Sequence, residues 1–328
     1  MTISFDGQVA LVTGGGRGMG REHCLLLARR GAAVVVNDLG VAMGGDKDRE
    51  DPASSVVDEI RRAGGRAIAS HHDVGSVDGP AAMVQDAIDH FGRIDIIVHN
   101  AGIVTFARFA DLTFEQYRAL VSVHLDGGFL LAKAAWPHMV SQQYGRLVFI
   151  TSQAALSGVP NLAHYAVAKT GLTGLARALA LEGEALGIRA NALGVTALTR
   201  MMTGFFHRGE DGQRPANTHM NADTEEWWAN NMRPDQVSPV VAWLASRECD
   251  VNGRILDTAG GYTVHQYLAT THGYFDADDM PENVLEHRAE IFDRRGAQAF
   301  ESARDLSQWR NAEIQATRSR ELRDSGTK

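Results

Sequence analysis

The chain has 328 residues, 44 % of them hydrophobic, enough to bury a full core as one large domain or two smaller ones. Its 32 Lys and Arg stand against 40 Asp and Glu, and the formal charge of -8 excludes a broad positive field for nucleic acid or anionic membrane. No apolar run approaches the roughly 20 residues of a membrane span, and no signal-type segment precedes "QVALVTGG", so a cytoplasmic protein is expected.

In chain order, "VALVTG", "AAVVVND", "RAIASHHD", "IDIIVHNAG", "RLVFITS", "IRANALGV" and "GRILDTAGG" are short and β-branched, and predict seven strands. Between them "REHCLLLARRG", "PASSVVDEIRRAGG", "GPAAMVQDAIDHFG", a long piece near 113–142, another near 163–186 and "PDQVSPVVAWLAS" have helical periodicity, several ending at glycine. Strand and helix alternating in this way predict an α/β fold: a doubly wound, seven-stranded parallel sheet with helices on both faces. It fills residues 1–262 as a single domain, with a C-terminal extension over 263–328. Two cysteines, Cys24 and Cys249, have no disulfide or metal spacing and are read as buried or idle thiols. "HHD" at 71–73 has no partner motif, and adjacent residues on a strand point to opposite faces, so no metal is expected.

Two segments stand outside the alternation. Residues 199–232 carry bulky pairs (Met201 with Met202, Phe205 with Phe206, Trp227 with Trp228) around a polar middle, which reads as a lid or binding loop. The extension carries Tyr267, Tyr274, Phe275, Phe292 and Trp309 before a highly charged end. It is expected to dock through the aromatics and fray after them.

The chemistry concentrates in three places. Thr13, Gly14, Gly18 and Gly20 follow a strand and open a helix, so bare backbone and free helical N–H groups converge where an anion sits. The spacing is Gly-x-x-x-Gly-x-Gly with no P-loop Lys-Ser/Thr, which favours a diphosphate over a γ-phosphate. Asp38 closes the second strand 24 positions after Gly14, near the roughly 20-residue offset at which an acid meets the adenosine ribose. Further on, Tyr165 and Lys169 lie four apart on one helix face, and Ser152 stands thirteen residues before the tyrosine at a strand end. A phenol with an ordinary pKa near 10 is a poor acid or base at neutral pH unless a cation favours its phenolate, and Lys169 is placed to supply that charge.

Thr13-Gly14-x-x-x-Gly18-x-Gly20, Asn100-Ala101-Gly102, Ser152 and Tyr165-x-x-x-Lys169, in this order, resemble the short-chain dehydrogenase/reductase family over residues 5 to about 262. The resemblance implies the Rossmann fold, a nicotinamide dinucleotide, and hydride transfer at a secondary alcohol or ketone. It makes Tyr165 the acid-base, Ser152 the orienting group and Lys169 both tyrosine modulator and ribose anchor. Cofactor contacts are implied at Gly14, Arg17, Gly18, Met19, Gly20, Asp38, Asp73, Val74, Asn100, Ala101, Gly102, Tyr165, Lys169 and Val195, with Asp73 near the adenine. "VVVNDLG" at 34–40, "VHLDGGFLLAKAAWPHM" at 123–139, "YGRLVFITS" at 144–152 and "TRM" at 199–201 are similar to the (3R)-hydroxyacyl-CoA dehydrogenase region of peroxisomal multifunctional enzyme type 2 and its bacterial relatives. That branch implies NAD and a lipophilic alcohol, either a 3-hydroxyacyl-CoA or steroid-like.

The chain also departs from the family pattern. His124 stands where the family usually has an asparagine whose backbone helps hold a proton-relay water, so His124 joins the catalytic set and the form of the relay is open. The Pro-Gly expected after the sixth strand is replaced by "LGVTALTRM", so Val195 and Thr196 must meet the nicotinamide differently. Arg17 can pair a 2′-phosphate, which supports an alternative, an NADPH-dependent 3-oxoacyl or ketone reductase. A dinucleotide-binding scaffold or sensor without turnover is the alternative of another class. The resemblance further implies a homodimer or homotetramer built on the helices near 113–142 and 163–186, where Ala166, Ala168, Gly171 and Gly174 would permit close approach. In the lid, Arg200, Arg208 and Arg214 could meet the phosphates of an acyl-CoA.

Overall fold

The computed structural model describes residues 2–41, 51–202, 222–275 and 280–325. They fall into two compact units, Met1–His265 and Gln266–Lys328. The first is built on a sheet of β1 (Val9–Thr13), β2 (Ala33–Asn37), β3 (Arg66–Ser70), β4 (Ile96–His99), β5 (Gly145–Thr151), β6 (Ile188–Thr196), β7 (Ile255–Ala259) and β8 (Tyr262–Gln266). The spatial order is β3-β2-β1-β4-β5-β6-β7-β8, and the seven strands expected from the sequence are parallel throughout. β8 is an addition: Gly260 and Gly261, with φ of +55° and +82°, make a two-residue connection of the kind that joins only a hairpin.

Strand alternation divides the core into two layers. Ala10 and Val12 of β1, with Val34 and Val36 of β2, face one side, where helices α1 (Gly18–Arg29), α2 (Pro52–Arg62) and Ser238–Ala245 pack. Val9 and Leu11, with Ala33 and Val35, face the other, against α3 (Gly79–Phe91), α5 (Gly127–Gln142) and α7 (Ala163–Gly183), the last preceded by the one-turn α6 (Ala154–Ser157). Burial on both faces is why these strands read as continuous apolar runs. Local signals set the helix ends. Asp51 accepts the Ser54 N–H at 3.0 Å to cap α2, whose first residue is Pro52, and Thr113 with Gln116 forms a reciprocal capping box on α4 (Phe114–Val121).

Three features place the site. Strand order reverses between β1 and β4, so the connections leaving them diverge and open a crevice at the carboxyl ends of the strands. The long piece near 113–142 is α4 and α5 joined by a π-helical turn, Ser122–Asp126, which carries His124. β3 ends at Ser70, so the "HHD" triplet lies in the following turn rather than on the strand: His71 pairs with Asp51, His72 with Asp86, and Asp73 Oδ1 accepts the Gly75 N–H. Among the described residues no helix is long and apolar enough to cross a membrane.

Within the second unit, Ala269–Thr270 pairs antiparallel with Gln298–Ala299, beside helices Pro281–Glu286, Arg288–Ile291 and Ala303–Ser325. Tyr274 stacks on His287 with centroids 3.9 Å apart, Trp309 meets Phe300 and His272, and Arg318 lies over Phe275. Tyr267 and Phe292, expected as anchors, are instead 63 % and 78 % exposed. The charged end does not fray as expected but continues as helix to Ser325, being rich in Arg, Glu, Gln and Ala.

Candidate active site

The turn leaving β1 is shaped by close approach. Gly14 takes a left-handed φ of +62°, and a Cβ there would lie 2.9 Å from the Ala101 backbone; a Cβ on Gly20 would overlap the Gly14 carbonyl oxygen. Asn100 locks the seam, its Nδ2 donating to the carbonyls of Thr13 and Gly14 at 3.0 and 3.2 Å. α1 therefore starts at the crevice, and its N-cap residue Arg17 makes no side-chain cap, leaving first-turn N–H groups for an anion. At the end of β2, Asp38 accepts the Gly16 N–H on Oδ2 at 3.1 Å and the Gly40 N–H on Oδ1 at 3.0 Å. Each carboxylate oxygen keeps a lone pair for a ribose hydroxyl.

These groups line one cleft of about 280 Å³. It takes in Gly14, Arg17, Gly18, Met19 and Asp38 on one side, Asp73 and Val74 at one end, and Asn100, Ala101 and Gly102 opposite. Gly20, Tyr165, Lys169 and Val195, also expected as cofactor contacts, are not among its lining residues. Gly20 serves the packing of helix on loop, and Val195 lies in β6. Thr199, Arg200 and Met201 contribute the lid side. Phe205, Phe206, Arg208 and Arg214 lie outside the described residues, while Trp227 and Trp228 stand on the helix Ala222–Asn231. The residues present fit a dinucleotide: a glycine cradle too tight for side chains, an uncapped helix start, and a carboxylate at the far end.

The reacting groups stand on β5, α7 and the π-turn. Thr151 Oγ1 donates to the Lys169 carbonyl at 2.9 Å, and Lys169 Nζ donates to the Ile150 carbonyl at 2.7 Å, which holds α7 in register with the end of β5. Ser152, the next residue, stands close enough to the Tyr165 hydroxyl to draw its pKa down against burial, and its Oγ accepts the Ala154 N–H at 3.3 Å. Lys169 Nζ lies 5.6 Å from the Tyr165 ring centroid. The expectation that Lys169 depresses the phenol is corrected. Burial pushes Tyr165 up to about 12, with Ser152 pulling the other way, and burial draws Lys169 down to about 7. Taking charge out of water outweighs the attraction between these two groups in the ligand-free protein. Of the residues expected to permit close approach between subunits, Ala168 is buried and Gly171 backs onto Leu125, so these two serve packing within the chain, while Gly174 faces open space.

Three buried histidines border this cluster, and only His124 was singled out by sequence reasoning. His99, the last residue of β4, bridges Thr13 and His124, and burial lowers it to about 4. His164, adjacent to Tyr165, holds Thr105 Oγ1 at 2.9 Å. His124 is held well below its ordinary pKa by burial and then by the Lys169 charge. The signal for His99 was its place directly before Asn100-Ala101-Gly102. Asp257 of β7, with one oxygen on Gln153 beside Ser152, carries no sequence signal of this kind.

The sequence pattern of the family described as short chain dehydrogenase matches residues 8–209. A protein of Mycobacterium tuberculosis named as a short-chain type dehydrogenase/reductase is 40 % identical over 291 residues, covering 88 % of this chain and 96 % of that protein. The peroxisomal multifunctional enzyme type 2 of Drosophila melanogaster is 37 % identical over 271 residues; the match covers 83 % of this chain and 42 % of that longer protein. Among solved structures, a 7α-hydroxysteroid dehydrogenase complexed with NADH and 7-oxo glycochenodeoxycholic acid is 28 % identical with a TM-score of 0.67, over 79 % of this chain and 95 % of that one.

Proposed function

The chain belongs to the short chain dehydrogenase family and is an oxidoreductase acting on CH–OH groups, and from that premise we propose that it uses NAD to interconvert a lipophilic secondary alcohol and its ketone. The observation that carries the reading is the meeting of the Tyr165 hydroxyl, the Ser152 hydroxyl and Lys169, whose Nζ lies 5.6 Å from the Tyr165 ring centroid, together with the carboxylate-ended cleft that fits a dinucleotide. When bound, the nicotinamide supplies the hydride acceptor or donor. The chain's own groups handle the proton. Ser152 orients the substrate oxygen, Tyr165 takes or gives its proton, and the Lys169 cation compensates charge developing on the phenolic oxygen. A phenol held near 12 is protonated at neutral pH, ready to donate to a ketone; the oxidative direction needs a route that removes that proton.

For the substrate, a solved relative named a hydroxysteroid dehydrogenase supports a lipophilic alcohol, and the resemblance read in the sequence adds a 3-hydroxyacyl-CoA. We take a 3-hydroxyacyl-CoA or steroid-like alcohol as the substrate, with Met201 beside the apolar body and Arg200 near the mouth. The second reading, an NADPH-dependent ketone reductase, is favoured by Arg17 in the same cleft as Asp38. A panel of 3-hydroxyacyl-CoA thioesters, their free acids, hydroxysteroids and short alcohols, followed by nicotinamide absorbance with NAD and NADP, separates the readings. Turnover of bulky alcohols with NAD is expected. Turnover only of ketones with NADPH would replace the first reading by the second, and no turnover would favour a scaffold. A homodimer or homotetramer belongs to this proposal and is checked by light scattering; Phe114, Phe129 and Val167, exposed on α4, α5 and α7, support it.

A further inference from the structure

Asp257 is a buried carboxyl that the chemistry above does not use. It is the middle residue of β7, in register with Gly194 of β6, which is in register with Thr151, the last residue of β5. Partners in register on parallel strands project to the same face, so Thr151, Gly194 and Asp257 form one row across the sheet. At one end of the row the Thr151 hydroxyl donates to the Lys169 carbonyl at 2.9 Å, which ties the sheet to the helix of Tyr165. At the other end Asp257 Oδ1 accepts Gln153 Nε2 at 3.3 Å. A carboxylate accepts, so the Gln153 amide turns its nitrogen to the sheet.

This contact is more than filling. Asp257 is 5 % exposed, a place that suits an apolar side chain, and burial accordingly raises its pKa. Its Oδ2 is buried and no hydrogen-bond donor reaches it, which is costly. Gln153 crosses from the end of β5 over β6 to β7, and the carboxylate has room to meet it because residue 194 is glycine: a Cβ there would overlap Asp257 Oδ2. Gln153 itself is exposed and directly follows Ser152. The turn these two residues begin is short. The Ser152 carbonyl accepts the Ala155 N–H at 2.9 Å, the Gln153 carbonyl accepts those of Leu156 and Ser157 at 3.2 and 3.0 Å, and α6 is one turn long, a length that does not hold itself. Thr170 ties its far end to α7 by donating its hydroxyl to the Ala155 carbonyl, and Gln153 ties its near end to β7 through Asp257.

We propose that Asp257 is a positioning residue for the reaction: acting through Gln153, it holds the turn that carries Ser152 so that the serine hydroxyl meets the substrate oxygen beside Tyr165. The inference rests on the dehydrogenase reading above, in which Ser152 orients that oxygen. Asp257 touches neither substrate nor cofactor in this assignment, and Gly194 belongs to the same device as the residue that admits the carboxylate. A displacement of about 1 Å in an orienting group costs up to about a hundredfold in rate. Loss of a single side-chain tie, with the backbone bonds of the turn intact, is expected to cost on the order of tenfold.

Gln153→Ala is the first test, because the residue is exposed and its loss leaves the core intact. With the full-length protein and the best alcohol of the substrate panel, Gln153→Ala and Asp257→Leu are each expected to lower kcat on the order of tenfold, with NAD affinity within about twofold. Asp257→Asn keeps an oxygen for Gln153 and is expected to stay within about threefold of the unmodified protein. A role exerted through Ser152 has a signature that general loosening of the fold lacks. In a Ser152→Ala background no hydroxyl is left to position, so adding Gln153→Ala should change kcat by less than about twofold. Equal losses in the two backgrounds overturn the proposal, as does a Gln153→Ala enzyme with unchanged kcat or an Asp257→Asn enzyme that falls as far as Asp257→Leu. Amide hydrogen exchange over residues 152–158 of the ligand-free protein gives a reading free of turnover, expected to quicken in Gln153→Ala and Asp257→Leu but not in Asp257→Asn. Unchanged exchange in Gln153→Ala refutes the tie even if no alcohol is oxidised, whereas the expected exchange pattern in a protein that turns over no alcohol counts against the dehydrogenase reading instead.

Discussion

On the NAD reading proposed above, Asp38 is the group that selects the coenzyme, and replacing it by asparagine is the perturbation that tests this. The carboxylate is held at the cleft rim by the Gly16 and Gly40 N–H groups at 3.1 and 3.0 Å, so it cannot swing away from a 2′ substituent without losing both. A 2′-phosphate brings a charge near -2. At about 4 Å and an effective dielectric near 20, each pair of unit charges is worth about 4 kcal/mol. Arg17, whose Nη1 reaches the Val41 carbonyl at 3.5 Å, offsets part of that repulsion, and water at a half-exposed rim screens more. A residue of about 1.4 kcal/mol or more, tenfold in kcat/KM for NAD over NADP, is the expected floor. Asp38→Asn keeps an oxygen for one of the two backbone donors and removes the charge, so discrimination should fall toward parity chiefly through a lower KM for NADP. Arg17→Ala on that background should take the gain back. The assay is kcat/KM for both coenzymes, side by side, at one ionic strength. Equal or reversed preference in the unmodified protein refutes the reasoning, and an unchanged ratio in Asp38→Asn shows that the carboxylate is not at the 2′ position.

Tyr165→Phe removes only a hydroxyl and should cut kcat on the order of 10² or more with NAD affinity near wild type; normal turnover would remove Tyr165 from the chemistry. Lys169→Ala should lower both kcat and NAD affinity, measured by turnover and titration calorimetry, if the side chain serves both the phenol and the nicotinamide ribose as the family resemblance implies. Gly20→Ala puts a methyl into the Gly14 carbonyl, so the glycine turn must shift: calorimetry should show NAD binding lost or weakened by an order of magnitude or more, at a stability cost of about 1 to 3 kcal/mol in urea unfolding. Burial holds His23 at about 3 and His99 at about 4 against an ordinary 6.5. Below pH 6.5 the unfolded chain therefore binds protons that the folded one does not. Stability is full above that pH and falls as pH drops toward 4, by up to about 1.4 kcal/mol per pH unit for each ring. Matching urea midpoints at pH 7 and pH 5 would contradict this.

Periodicity and local chemistry were enough to read the seven parallel strands, the helices between them, the glycine turn, Asp38 and the Ser152, Tyr165, Lys169 set. Those features depend on neighbours in the chain: alternate burial along a strand, a cap or glycine at a helix end, a four-residue spacing on one helix face. What the tertiary structure alone decided depends on groups far apart in sequence. β8 needed the edge of a sheet already formed, and the inward turn of Ala168 and Gly171 needed Leu125 of the π-turn to pack against. The direction of the Tyr165 shift was misjudged from spacing, because spacing reports the distance between two groups and not how much water burial has removed around them. His99 shows the same division. In the sequence it is one residue before a recognisable tripeptide; folded, it joins Thr13, 86 positions upstream, to the His124 carbonyl, 25 positions downstream, and only that three-way meeting settles which of its nitrogens carries the proton.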